Sequence, residues 1–189
     1  MRKLLLVFSL MIVGVSTVIA LPVPEADRVG IDFRRTTLVV RDIDTSLELY
    51  RDVLGMKVIY DQMIRTPAGK PDAETDRIRR LVFLRANDTY VGVLGLLEYQ
   101  KPKKEQPVSR LAFEPGTSVQ LFATTNLEEK FEMAQAVPGV EAIMPPRIVE
   151  YPSYDGTGTI PVRVSIISDP DGFVLEVNEP LVDLNVARD

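Results

Sequence analysis

The chain is expected to fold as an α+β protein of two βαβββ modules paired around a central cleft. Two observations carry this. An order of strand, helix and three strands occurs twice along the sequence, and a Lys/Pro-rich stretch ending in Pro115-Gly116 separates the two occurrences. The 189 residues suffice for one compact domain or for two small modules sharing a core. A composition of 46% hydrophobic and 26% charged residues is that of a globular chain.

The first module opens with Arg35 to Val40, RTTLVV, a short β-branched run suited to a strand. Alternation turns Leu38 and Val40 toward a helix and Thr37 and Val39 toward the cleft, an assignment that reverses with a register slip of one residue. Leu47, Tyr50, Val53 and Leu54 recur at helical spacing, with Asp44 or Thr45 as N-cap and Gly55 as the stop. Met56 to Tyr60 re-enters the sheet. The polar stretch Gln62 to Arg77, with two prolines and a glycine, reads as a long loop. Strands near Ile78 to Arg85 and Tyr90 to Tyr99 follow, joined by a turn at Ala86-Asn87-Asp88.

The second module repeats the order. Ser118 to Thr124 is a strand, Asn126 caps, and Leu127, Phe131, Ala134 and Val137 form a helical face that Pro138-Gly139 ends. Val140 to Tyr151, Ile160 to Ile167 and Phe173 to Asn178 complete the set, with Asp169-Pro170-Asp171-Gly172 as a tight turn. The organisation is then a leader at 1–20, a linker at 21–33, modules at 34–100 and 117–180, a connector at 101–116 and a tail at 181–189.

Arg2 and Lys3 precede an apolar run from Leu4 to Ala20, and Pro22 and Pro24 follow it. This is the pattern of a secretory signal peptide cut after Ala20, so the expected location is secreted or periplasmic; an uncleaved leader would instead anchor an exported domain to the membrane. The net charge is -5 with no long basic tract, which argues against nucleic acid as a partner, and Lys101, Lys103 and Lys104 read as a solvated connector. The chain has no cysteine and no histidine. It therefore has no disulfide, no cysteine nucleophile and no thiolate or imidazole ligand, and only oxygen atoms remain to bind a metal. Gly92 and Gly95 lie inside a strand pattern, not at a strand-to-helix turn where glycines cradle phosphate. Tyr99, Tyr151 and Tyr154 are candidates for the cleft or its rim.

Two stretches, Arg35 to Val58 (RTTLVVRDIDTSLELYRDVLGMKV) and Ser168 to Glu176 (SDPDGFVLE), resemble the opening and the closing turn of the vicinal-oxygen-chelate superfamily, which includes glyoxalase I, extradiol dioxygenases and bleomycin-resistance proteins. The resemblance spans Arg35 to Pro180 and implies that family's fold. It also implies four positions facing a central metal, and these fall on Arg35, Glu98, Val119 and Glu176. A slip in the correspondence would bring Thr36 or Ser118 inward instead. Arg35 stands where such proteins usually carry a histidine, and Val119 offers no donor atom.

These residues imply a site without the usual metal, in which Arg35 replaces the ion and Glu98 or Glu176 is its counterion. The expected function is binding of a small anionic or carbonyl-bearing molecule through Arg35, Thr37, Glu98, Val119 and Glu176, with no cofactor. The alternative is a divergent glyoxalase-like lyase, isomerase or dioxygenase in which Glu98 and Glu176 hold Mg, Mn, Fe, Ni or Zn. A third reading is an interaction module at the membrane surface, the membrane being reached only through an uncleaved leader. Monomer and homodimer are equally compatible with the sequence.

Overall fold

A computed structural model describes residues 23–104, 115–153 and 156–182. The expected leader and most of the expected connector, with Tyr154 and residues 183–189, lie outside the described residues. The first module consists of β1 (Arg35–Val40), α1 (Ile43–Leu47, continuing as a π-helical segment, Glu48–Val53), β2 (Lys57–Thr66), β3 (Arg77–Arg85) and β4 (Val93–Lys101). The second consists of β5 (Val119–Ala123), α2 (Leu127–Gln135), β6 (Glu141–Pro152), β7 (Thr159–Ser168) and β8 (Val174–Pro180). Each module forms its own four-stranded mixed sheet, ordered β1-β4-β3-β2 and β5-β8-β7-β6. The first and last strands of each module lie side by side and parallel, and the remaining pairs are antiparallel.

Helix α1 starts two or three residues earlier than the spacing predicts. Asp42, in extended conformation, is the N-cap, and its carboxylate accepts the Thr45 amide at 2.8 Å. Downstream, the Leu54 amide reaches the Leu49 carbonyl at 2.9 Å, an i→i−5 bond. Leu49 and Tyr50 are both fully buried in this segment. Gly55 ends the segment at φ 80°, as its position suggested.

The loop expected over Gln62 to Arg77 is shorter than the composition implies. Gln62 to Thr66 extend β2 and pair with Arg77 to Leu81 of β3. The polarity there reflects an edge strand: β2 is exposed over most of its length, so its side chains need not be apolar. At α2, Asn126 holds the N-cap position but its side chain caps no backbone amide; it donates to Glu129 Oε2 at 2.9 Å.

One core serves both modules. Leu38, Val40, Val82, Leu84, Leu94 and Leu96 of the first sheet, the buried side of α1, and Leu127, Ala134, Ile167, Leu175 and Val177 of the second module form a single apolar cluster. Polar bonds cross the seam as well. The Tyr50 hydroxyl donates to Asp169 Oδ2 at 2.9 Å, Arg41 Nε to Asp171 Oδ1 at 2.7 Å, and Lys130 Nζ to the Val53 carbonyl at 2.7 Å.

Candidate functional site

With the helices packed on one face of each sheet, strand alternation assigns the other face to the cleft. On β1 the buried residues are Leu38 and Val40, while Arg35, Thr37 and Val39 are exposed, as alternation predicted. The register carries this face across the sheet: Thr37 lies beside Gly95, Gly95 beside Phe83, and Phe83 beside Tyr60.

Arg35 crosses this wall. Its guanidinium carbon lies 4.0 Å from the centroid of the Phe83 ring, although β4 separates β1 from β3. Phe83 in turn stacks on Tyr60, with ring centroids 4.7 Å apart and planes inclined by 21°. A cation and two aromatic rings thus form a ladder across the first sheet, each exposed cation–π contact contributing about 0.5–1 kcal/mol. The strand under the arginine is bare at Gly95, where an added Cβ would lie 2.6 Å from Thr37 Oγ1. Neither glutamate is the counterion suggested by the sequence. Among the described residues, the Arg35 guanidinium rests on the ring of Phe83.

The cleft wall of the second module differs. Val119, Leu121 and Ala123 lie beside Val174, Glu176 and Asn178 of β8. Ile160, Val162 and Val164 of β7 form an apolar cluster with Met144 and Val149 of β6. Within this apolar wall Glu176 Oε1 accepts the Asn178 side-chain amide at 2.8 Å. Asn178 is 9% exposed, and its Oδ1 is buried without a hydrogen-bond partner among the described residues. Its cross-strand neighbours Ala123 and Val164 offer no side-chain donor. A buried acceptor left unpaired costs about 1–3 kcal/mol.

Glu98 is a correction to the expected site. It lies beside Val40 on the helix-facing side of β4, where Oε2 accepts the Ile43 amide at the start of α1 at 3.1 Å. Burial pushes its carboxyl above the usual range, and the Ile43 amide partly offsets this. The registers explain the misassignment. Arg35 lies beside Val93 as Val119 lies beside Val174, so the counterpart of Glu176 is Gly95. Glu98 is three residues further on, and an odd step along a strand changes face.

The metal implied by the resemblance therefore does not fit. The four positions that the registers make equivalent are Arg35, Gly95, Val119 and Glu176: a permanent cation, two groups without donor atoms and one carboxylate. Glu98 and Glu176 are on faces that do not meet, and among the described residues no three acidic side chains gather as a metal site would require.

Two of the three connector lysines have partners in the structure. Lys101 Nζ donates to the Asp72 carbonyl at 2.9 Å, and Lys104 stands 4.1 Å from the Tyr99 ring centroid. Lys103 borders a cavity of about 500 Å³ at the seam, between Arg41 and Asp42 of one module and Gly139 and Asp171 of the other.

The sequence profile of the Glyoxalase/Bleomycin resistance protein/Dioxygenase superfamily matches residues 32–177. The chain belongs to this superfamily. Among solved structures, a glyoxalase family protein from Bacillus cereus superposes with a TM-score of 0.62 at 14% identity, covering 84% of this chain and all (100%) of that one. A single-site mutant of glyoxalase I from Zea mays gives 0.51 at 16% identity, over 77% of this chain and 46% of that one, so this superfamily member spans about half the length of the maize protein. At these identities the likeness is one of fold. No curated protein is similar enough in sequence to count as a match.

Phe83, Tyr60, Gly95 and Asn178 escaped sequence reasoning as members of the cleft wall. Leu81, Val82, Phe83 and Leu84 are all apolar, so alternation could not tell which of them face the superfamily's cleft. Only the register with β4 decides it.

Proposed function

We propose that this superfamily member is an exported protein that binds a small anionic or carbonyl-bearing molecule in its cleft without a metal. One observation carries the reading. Arg35 presents a guanidinium on the cleft face, held over Phe83 by stacking and not consumed by an ion pair among the described residues. Such a group offers a planar fork of donors to a carboxylate or carbonyl oxygen. Thr37 lies on the same face of β1, and Val119 and Glu176 stand on the opposite module. Export rests on the leader pattern of Leu4 to Ala20, and predicts a mature chain beginning at Leu21. The metal-dependent alternative finds no support in a geometry that sends Glu98 to the helix side.

Titration calorimetry with benzoate and benzoylformate, with and without EDTA, tests the reading. Binding is expected to be indifferent to the chelator and at least tenfold weaker in Arg35→Ala. Equal affinity in wild type and variant would remove Arg35 from the account.

A further inference from the structure

Strands β1 and β8 carry opposite hydrogen-bonding groups on their cleft faces, while Arg147 of β6, registered beside Val164, adds a cation at the outer edge of the second wall. The first presents donors, the Arg35 guanidinium above the Phe83–Tyr60 stack. The second carries acceptors, Glu176 and the buried carbonyl of Asn178, and their orientation is fixed by their own bond. Because Asn178 Nδ2 donates to Glu176 Oε1, the amide carbonyl of Asn178 is directed away from the glutamate, and a flip of the amide would set two acceptor oxygens against each other. That carbonyl has no partner among the described residues although Asn178 is buried, and its cross-strand neighbours are an alanine and a valine. A carboxylate and an unpartnered carbonyl side by side accept hydrogen bonds and donate none.

We propose that Glu176 and Asn178 form a subsite for a hydrogen-bond donor, so that the ligand carries an amine or hydroxyl group as well as the anionic or carbonyl group held at Arg35. The inference rests on the binding function proposed above. It narrows the ligand class to amino or hydroxy acids with a flat apolar body, the body lying along the aromatic ladder and the aliphatic wall. A site built to bond a donor discriminates strongly against the analogue lacking it, because the protein's acceptors are then left unpaired.

The experiment compares benzoate with the 2-, 3- and 4-hydroxybenzoates and the corresponding aminobenzoates by titration calorimetry, in wild type, Asn178→Leu, Glu176→Gln and Arg35→Ala. At least one donor-bearing isomer is expected to bind tenfold or more tightly than benzoate. The advantage should disappear in Asn178→Leu and shrink in Glu176→Gln, whereas Arg35→Ala weakens benzoate and its derivatives alike. The Asn178 side-chain amide resonance should shift with the favoured isomer and not with benzoate, a readout that stands even if Asn178→Leu does not fold. Benzoate binding that depends on Arg35, with no isomer gaining over it, overturns the donor subsite and leaves the binding function standing. Absence of binding by benzoate and every derivative overturns both.

Discussion

The two modules match on their helix-facing sides and differ on their cleft-facing sides. The same spacing separates Arg35 from Gly55 and Val119 from Gly139, and the two glycines end the helical segments at φ 80° and 83°. In both modules an arginine on the third strand reaches the second residue of the helix: Arg80 bonds Asp44 at 2.7 Å and Arg163 approaches Glu128 at 3.3 Å. Each of these arginines is also registered beside a glutamate of the last strand, Glu98 or Glu179. On the other face the correspondence ends, with Thr37 and Gly95 opposite Leu121 and Glu176. The repeated side is the one that holds the helices on the sheets. The divergent side is where a ligand would be selected.

The seam is where the matched sides depart most from symmetry. Tyr50 is fully buried and its counterpart in α2 is Ala134, so the first helix fills space that the second leaves. The ring lies 6.2 Å from Phe122 across the seam. Tyr50→Ala is expected to cost about 3–5 kcal/mol in denaturant unfolding, the range for deleting a buried aromatic ring. A loss below about 1 kcal/mol would mean that the modules do not share this core. Tyr50→Phe gives a sharper readout. Burial pushes the Asp169 carboxyl up to about 6, while donors from Phe173, Tyr50 and Asp171 hold it down. Removing the hydroxyl removes one group that favours the ionised form, so the Asp169 midpoint, followed by carboxyl carbon resonance, should move above its wild-type value. A midpoint that stays or falls would show that Tyr50 does not donate to this carboxylate.

Much of the matched side was legible in the sequence, because burial leaves a pattern there. Leu38 and Val40 against Thr37 and Val39 followed from alternation alone, and the Asp169 turn fixed Glu176 by its spacing. The Asp42 cap and the π-helical segment did not follow. Asp42, Asp44 and Thr45 are all suitable caps by chemistry, and an i→i−5 bond leaves no distinct composition. Glu98 was misplaced for a different reason. No aspartate-proline turn fixes the start of β4, and the parallel register with β1 depends on contacts distant in sequence.

Gly95 tests whether the cleft walls differ by necessity. An added Cβ meets Thr37 at 2.6 Å from Oγ1 and 3.2 Å from Cγ2, so Gly95→Ala should destabilise by about 1–3 kcal/mol through overpacking. Much of this loss should be recovered in the Thr37→Ala background, which removes both of those atoms. Measured together as a double-mutant cycle, the two substitutions should be clearly non-additive. Additive losses would mean that Thr37 does not occupy the space above Gly95, and that a side chain larger than hydrogen is tolerated where the second module carries Glu176.

The arginine clamps give the smallest effect and test the match itself. Arg80 bonds both Asp44 and Asp61, and its side chain is 19% exposed; Arg163 bonds Glu179 at 2.6 Å and is 27% exposed. Arg80→Met should cost about 0.2–1 kcal/mol, since partly exposed ion pairs offset little more than the entropy of holding two long side chains. Arg163→Met should cost less. The difference has a specific origin: Arg80 also helps keep the buried Glu98 ionised, so its loss should raise the Glu98 carboxyl further, in the direction burial already drives it. Both losses should diminish in high salt, which screens exposed pairs first. If Arg163→Met proves the more damaging, the two clamps are not equivalent. The helix-facing sides would then have diverged in energy while keeping the same geometry.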